Sequence, residues 1–279
     1  MSVQLLIQDG NPYWYLSPDI WVVPGNDPNG MPGSPVAGQL AYLWAHVANT
    51  GDIGANSVRV DFYWANPALQ VLRSNSTLVG SAFADVPAGG SQDAVCLVPW
   101  IPVMVNNGHE CLVAVANDPD DPLPDPLPDA FDPPAFRQVA QKNLSVMTAS
   151  MQASSHALTI GGWRRTDKAV AVTAEVGGAL DEISLVRLGI KGLRPAKENW
   201  LDVGLDHRPG CAGENESLGS KKLEFLVPRG TSTAVYASIR AKKLPRGEYQ
   251  LVNILERIGD RILGGLTFVV VPEKKEGKS

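Results

Sequence analysis

Few side chains in this sequence could do chemistry. There are four histidines, His46, His109, His156 and His207, and three cysteines, Cys96, Cys111 and Cys211. His109 stands two residues before Cys111, and a histidine beside a cysteine can activate a thiolate. Residues two apart on a strand sit side by side on one face, however, and no third group is placed to orient the imidazole. A structural turn residue after Asn107-Gly108 is the better reading of His109. His46 alternates with Leu40, Tyr42 and Trp44, which reads as a core or half-buried histidine on that face of a strand. His156 precedes an apolar strand with no ligand partner at metal spacing. His207 lies in Asp206-His-Arg-Pro-Gly-Cys211, followed by Glu214 and Glu216, a set that could hold a metal opportunistically. Its spacing fits no ligand rule, and Gly210, Gly213 and Gly219 mark the stretch as a loop.

Catalytic and cofactor signatures are missing. No CxxC pair, GxSxG elbow, HExxH helix or GxxxxGK[ST] loop occurs. Gly161-Gly-Trp-Arg-Arg165 is glycine-rich but lacks the strand-to-helix context that cradles phosphate. The expectation is therefore no catalytic residue, no metal, no cofactor and no enzymatic activity. An odd number of cysteines in a long chain is unlike the dense, even sets of small secreted domains. Cys96 and Cys111 fall on neighbouring expected strands, so a bridge is open to them geometrically, while two small buried thiols fit the pattern better.

Two segments have the composition of binding sites. Residues 118–134 hold six aspartates and seven prolines. Calcium takes oxygen ligands from flexible loops, and Asp118, Asp120 and Asp121 could supply some. The EF-hand pattern is absent, and proline favours an extended chain, so a stiff, solvated strap is the stronger expectation. The cluster Tyr13-Trp14-Tyr15, with Trp21 close behind, is the candidate partner-binding platform, because aromatic side chains bury large area at low entropy cost. The same residues would serve equally to pack an N-terminal segment onto its own sandwich. Three basic pairs, Arg164-Arg165, Lys221-Lys222 and Lys242-Lys243, read as solvated sheet faces, and nucleic acid is not expected as a partner.

The elements that must carry these residues are strands. The chain is 279 residues long, 44% apolar and 19% charged, enough to bury a core, and two domains' worth of length. Its 27 glycines and 22 prolines are too many for a coiled coil or helical bundle and, lacking a repeat, do not make a collagen. Val58, Val60, Phe62 and Trp64 share one face of a half-buried strand, and Val170, Val172, Ala174 and Val176 share another. Further strands are expected at 4–8, 19–23, 77–83, 93–98 and 110–116, then at 157–160, 182–190, 200–205, 222–227, 234–240, 249–256 and 262–271. Turn signals such as Asn49-Thr-Gly51, Pro87-Ala-Gly-Gly90, Asn106-Asn-Gly108 and Pro245-Arg-Gly247 separate them. Strands at this spacing predict an all-β fold of two immunoglobulin-like antiparallel β-sandwich domains in tandem.

Charge places the expected boundary. Residues 1–145 carry 4 basic and 14 acidic side chains, a net of −10, and residues 146–279 carry 20 and 15, a net of +5. The reading is an acidic domain 1–145 and a basic domain 146–279, with a disordered tail from about 273. The longest apolar runs, 94–100 and 266–271, fall far short of the ~18 residues a spanning helix needs, so no membrane partner is expected. The first ten residues have neither a basic start nor an apolar stretch of signal-peptide length. A cytoplasmic protein is expected, or part of a particle exported without a cleavable signal.

Several phrases in residues 18–145 resemble a bacterial CARDB-like, immunoglobulin-type module. They include Pro18-Asp-Ile-Trp-Val22, Ala45-His-Val-Ala-Asn-Thr-Gly51, Val58-Arg-Val-Asp-Phe-Tyr-Trp-Ala65, Val86-Pro-Ala-Gly-Gly-Ser91, Val98-Pro-Trp-Ile-Pro102 and Val139-Ala-Gln-Lys-Asn143. The resemblance covers under half the chain and implies a non-catalytic adhesion, spacer or docking domain. The expected function is a scaffold or adaptor in a larger bacterial assembly, with a protein partner and self-association both open. A carbohydrate-binding or calcium-assisted adhesive module, and an accessory subunit of a separate enzyme, are the alternatives.

Overall fold

The computed structural model describes residues 1–66, 68–103, 111–161, 169–209, 217–228 and 230–273. His109, Cys211, Glu214, Glu216, the turn at 106–108, the pair Arg164-Arg165 and the tail after 273 lie outside the described residues. The chain is nearly all β, in antiparallel sheets with few exceptions, and divides into two compact units. Unit 1 comprises residues 1–66, 71–143 and 181–191; unit 2 comprises 67–70, 144–180 and 192–279.

Unit 1 is a sandwich of two sheets. Its strands are β1 (Leu5–Leu6), β2 (Ile20–Pro24), β3 (Ala41–Asn49), β4 (Ala55–Ala65), β5 (Ser76–Val86), β6 (Ser91–Trp100), β7 (Cys111–Asn117) and β8 (Val139–Lys142). In the first sheet β3 is central, with β1 and β2 along one side and β6 on the other. The second runs β5-β4-β7-β8. Leu43, Ala45 and Val47 of β3 meet Val58, Val60 and Phe62 of β4 in a shared core, as alternation on facing strands requires. A smaller apolar cluster, built on Val113, Val115 and Phe131, covers the outer face of the second sheet.

Unit 2 is a second sandwich. It holds β9 (Leu144–Thr148), β10 (Ser154–Gly161), β11 (Val170–Val176), β12 (Arg194–Pro195), β13 (Leu201–Asp206), β14 (Lys222–Phe225), β15 (Ser232–Ala241), β16 (Glu248–Ile258) and β17 (Arg261–Val271). One sheet runs β10-β15-β13 and the other β14-β11-β16-β17-β9, with β12 added in parallel to β16. Leu158, Ile160, Val172, Val235, Ile254 and Phe268 fill the core between them. Leu69 also belongs to this core, and its N–H donates to the Thr159 carbonyl at 3.4 Å, which explains why 67–70 cluster with unit 2.

Two expectations are corrected here. Residues 182–190 are not a strand: Glu182–Arg187 is helix α1, part of unit 1. The Asp181 side chain caps it by accepting from the Ser184 N–H at 2.7 Å. It ends in a Schellman motif, with Gly189 N–H donating to Val186 and Ile190 N–H to Leu185, both at 3.0 Å. Gly189 supplies the φ of +71° that this stop demands. The second correction concerns β3, whose buried face is Ala41, Leu43, Ala45 and Val47, while Tyr42, Trp44 and His46 line the opposite, half-exposed face.

Candidate interaction surface

The aromatic segment has two kinds of residue. Tyr15 is fully buried and Trp21 is 7% exposed, whereas Tyr13 and Trp14 are half-buried. The Tyr13 and Tyr15 rings stack at 5.6 Å, and Trp14 meets Tyr15 edge-on at 5.9 Å. The backbone of the segment is tied to β8: Ser17 N–H donates to Gln141, and Asn143 N–H donates to Tyr15, each at 2.9 Å. These ladder-like ties to β8 place Tyr15 in the interior, with Tyr13 and Trp14 half-buried beside it.

Trp21 has a structural partner that the sequence reading missed. Its ring is stacked on Trp44 at 5.6 Å and, with the guanidinium carbon of Arg187 3.9 Å from its centroid, it also makes a cation–π contact. Arg187 donates to the Pro18 carbonyl and lies 3.6 Å from the Asp19 carboxylate. Burial raises the pKa of Asp19, opposed by the bond from the Gln8 N–H, by His46 and by Arg187. Beneath them the Lys142 amine, fully buried, donates to the Ile20 carbonyl at 2.8 Å, and burial pulls its pKa down to about 8. A mostly apolar cleft of about 400 Å³ adjoins the stack, lined by Trp21, Pro32, Ile183, Val186 and Arg187 among others.

The Asp/Pro tract is a strap over the outer face of the β5-β4-β7-β8 sheet. Phe131 packs against Tyr63, and the Arg73 guanidinium lies 4.5 Å from the Phe131 ring centroid. Asp121 accepts from the Leu5 N–H at 2.8 Å and from Arg137 at 2.5 Å, and Asp118 accepts from the Asp120 N–H at 2.9 Å. These carboxylates are occupied in holding the strap. Among the described residues no group of three or more His, Cys, Asp or Glu side chains comes together as a metal-binding set. Cys96 and Cys111 are both buried and unbridged, and Cys111 Sγ lies 3.0 Å from Asn143 Oδ1. His46 pairs with Asp93 at 2.6 Å, directly across the β3–β6 ladder.

Exposed apolar side chains also stand on β5 and β6, the edge strands of the two unit 1 sheets. Each of these strands has one ladder partner among the described residues, β4 for β5 and β3 for β6. Cross-strand partners share a face: Leu78 opposes Tyr63 and Phe83 opposes Arg59, all on the outer side, while Ala82 and Ala84 oppose the core residues Val60 and Val58. The β5 bulge at Val79 lies between Phe62–Gly80 and Tyr63–Leu78. On β6 the ladder is regular from Ser91 to Cys96 and then breaks, so that Leu97, Val98 and Pro99 oppose only Tyr42 before Trp100 rejoins. Pro99 has no N–H to give, and the bulge turns Leu97 and Val98 outward. Phe83 is 66% and Leu97 68% exposed; Leu78 and Val98 on the same two strands are exposed as well, as are Ile101 and Val103 just past β6. Gly80 lets the two strands close: a Cβ there would lie 2.8 Å from Val98 Cγ2 and 2.9 Å from Cys96 Sγ. Single apolar residues are ordinary on a surface, but Leu78, Phe83, Leu97 and Val98, left exposed on two neighbouring edge strands and together called the pad, are a candidate docking face.

No family model matches the sequence, and no curated protein matches it. Among solved structures the chain is similar to a CARDB domain from Pyrococcus furiosus solved in complex with di-metal ions. Identity is 16% and the TM-score 0.29, over 50% of this chain and 85% of that one. It is also similar to red sea bream transglutaminase, with 12% identity and a TM-score of 0.23, spanning 92% of this chain but only 32% of the enzyme. A third is the CupB6 tip adhesin of Pseudomonas aeruginosa, with 7% identity and a TM-score of 0.21 over 91% of this chain and 99% of that one. At such TM-scores none of the three bears on function.

Proposed function

We propose that this chain is a non-catalytic protein-interaction module, a scaffold or adaptor component of a larger assembly built from two immunoglobulin-like sandwiches in tandem. The observation that carries the reading is the apolar pad at the β5/β6 edge. Leaving Leu78, Phe83, Leu97 and Val98 in water on these edge strands forgoes burial free energy of about 25 cal/mol per Å², which a docked protein surface recovers. The aromatic segment at Tyr13, Trp14, Tyr15 and Trp21 supports the sandwich in this reading, and the docking face lies elsewhere.

The test is co-purification of the tagged full chain from its own cells, comparing the wild type with a Phe83→Ser/Leu97→Asp double variant and an Ile183→Ser control. Ile183 is an exposed apolar residue of α1, beside the Trp21 cleft and not on β5 or β6. The expected result is a partner retained by the wild type and the control but lost by the double variant, with unchanged circular dichroism. Equal recovery by all three would overturn the pad as the docking face.

A further inference from the structure

We infer that the cleft beside Trp21 is a binding site for a small organic cation, a protonated amine carried on an aromatic or aliphatic body. The inference concerns a free small molecule and stands apart from the docking role of the pad.

The cleft lies wholly within unit 1 and is lined by Trp21, Pro32, Glu182, Ile183, Val186 and Arg187. Its volume of about 400 Å³ falls in the range of pockets that hold small ligands, roughly 300–1,000 Å³. Trp21, Pro32, Ile183 and Val186 give it apolar walls. Ile183 is 57% exposed, and an apolar body entering the cleft takes it out of water.

The walls are fixed before any ligand arrives. Trp21 is stacked on Trp44 and carries the Arg187 guanidinium against its ring. Pro32 belongs to a loop tied at three points. Trp44 Nε1 donates to the Pro28 carbonyl at 2.9 Å, and the Gly33 N–H donates to Val22 at 3.0 Å. The Ser34 hydroxyl donates to the Leu188 carbonyl, at the end of α1, at 3.2 Å. The helix itself is capped at both ends by the bonds of Asp181 and Gly189. Groups already ordered lose little further entropy on binding, which favours a ligand that fits them.

Charge selects the ligand. Two charged side chains line the cleft, and Arg187 is already engaged: it donates to the Pro18 carbonyl and lies 3.6 Å from the Asp19 carboxylate. Glu182 is exposed, and no cation pairs with it among the described residues. Apolar walls with one uncommitted carboxylate suit a molecule that is apolar along its body and positive at one end. An anion of the same shape would meet like charge at Glu182, and a neutral molecule would fill the walls without answering the carboxylate.

The experiment is calorimetric titration of the full chain with three probes that share one phenylethyl body: 2-phenylethylamine, 2-phenylethanol and 3-phenylpropionate. At neutral pH and low salt the amine is expected to bind saturably, about two- to fivefold more tightly than the alcohol, the range of a solvent-exposed ion pair, with the carboxylate weakest. Glu182→Gln is expected to remove the advantage of the amine and leave the affinity of the alcohol unchanged. Ile183→Lys, which puts a cation on the apolar wall, is expected to lose the amine. Both positions are exposed, so both variants should keep the fold, which circular dichroism checks. Saturable binding of none of the probes by the wild type, an amine no tighter than the alcohol, or an amine advantage that survives Glu182→Gln would each overturn the inference. The docking role of the pad is read separately, by co-purification, and stands or falls without it.

Discussion

Arg187, from a six-residue helix late in the chain, lies with its guanidinium carbon 3.9 Å from the ring centroid of Trp21, near the start of it. The contact explains why residues 181–191 belong to unit 1. A short helix has little stability of its own, so packing and capping must hold it. Arg187→Ala is expected to lower stability by about 1–2 kcal/mol, and Arg187→Lys to rescue only part of that, since lysine lacks the planar face that stacks. Urea unfolding measures the loss. Hydrogen exchange across 182–188 should rise in both variants, and unchanged protection there would show that Arg187 does not hold the helix.

The helix cap gives an independent reading. Asp181→Ala removes the acceptor for the Ser184 N–H and is expected to cost about 1 kcal/mol. Its effect should be sub-additive with Arg187→Ala, because both act through the docking of one helix.

Tyr15 and Tyr13 should separate cleanly under alanine substitution. Tyr15→Ala empties a fully buried site and is expected to cost about 3–5 kcal/mol, while Tyr13→Ala, half-buried, costs much less. Thermal unfolding reports both. Loss of partner retention by a folded Tyr13→Ala protein would return the aromatic segment to the docking face.

A half-buried carboxyl and a buried amine set a pH dependence of opposite signs. Burial, reinforced by Asp132, raises the pKa of Asp9 to about 7. Folding therefore favours protonated Asp9, a contribution fully present below pH 4 and lost as pH rises through 7. Asp9→Asn should stabilise the protein at pH 8 by about 1–2 kcal/mol, reduced from the unscreened value because Asp9 keeps part of its surface in water. For Lys142, lowered to about 8, the folded state releases its proton first, so stability should rise between pH 8 and 10.5. Lys142→Met is expected to abolish that rise. A rise that persists in the methionine variant would assign it to another group.

Asp121 tests the strap against a cation site. Asp121→Asn weakens the bonds from Leu5 and Arg137 and is expected to cost about 1–3 kcal/mol, equally with calcium or chelator. A calcium-dependent gain in the wild type, absent from the variant, would contradict the structural role.

Much of the strand content was legible because alternation is a local signal. Val170, Val172 and Ala174 face the unit 2 core as their spacing requires, and Val58, Val60 and Phe62 do the same in unit 1. Helix α1 was not legible by alternation, since Ile183, Leu185 and Val186 in six residues satisfy either period; Asp181 and Gly189 were the cap signals that distinguish it. The face of β3 was misjudged because Tyr42 and Trp44 are large, while the core takes the smaller Ala45 and Val47. Strand β9 has no alternation at all and is held by its parallel ladder to β17. The pad is not legible in the sequence because the exposure of Leu97 and Val98 depends on a bulge, whose position is set by pairing with β3.

The docking role of the β5/β6 edge is tested most directly by a photocrosslinking residue placed at position 97 of the full chain in its own cells, with position 29, where Asn29 is exposed in the same unit, as the control. A discrete protein adduct is predicted from position 97 and none from position 29. Adducts equal at both positions, or absent from position 97, would contradict the account.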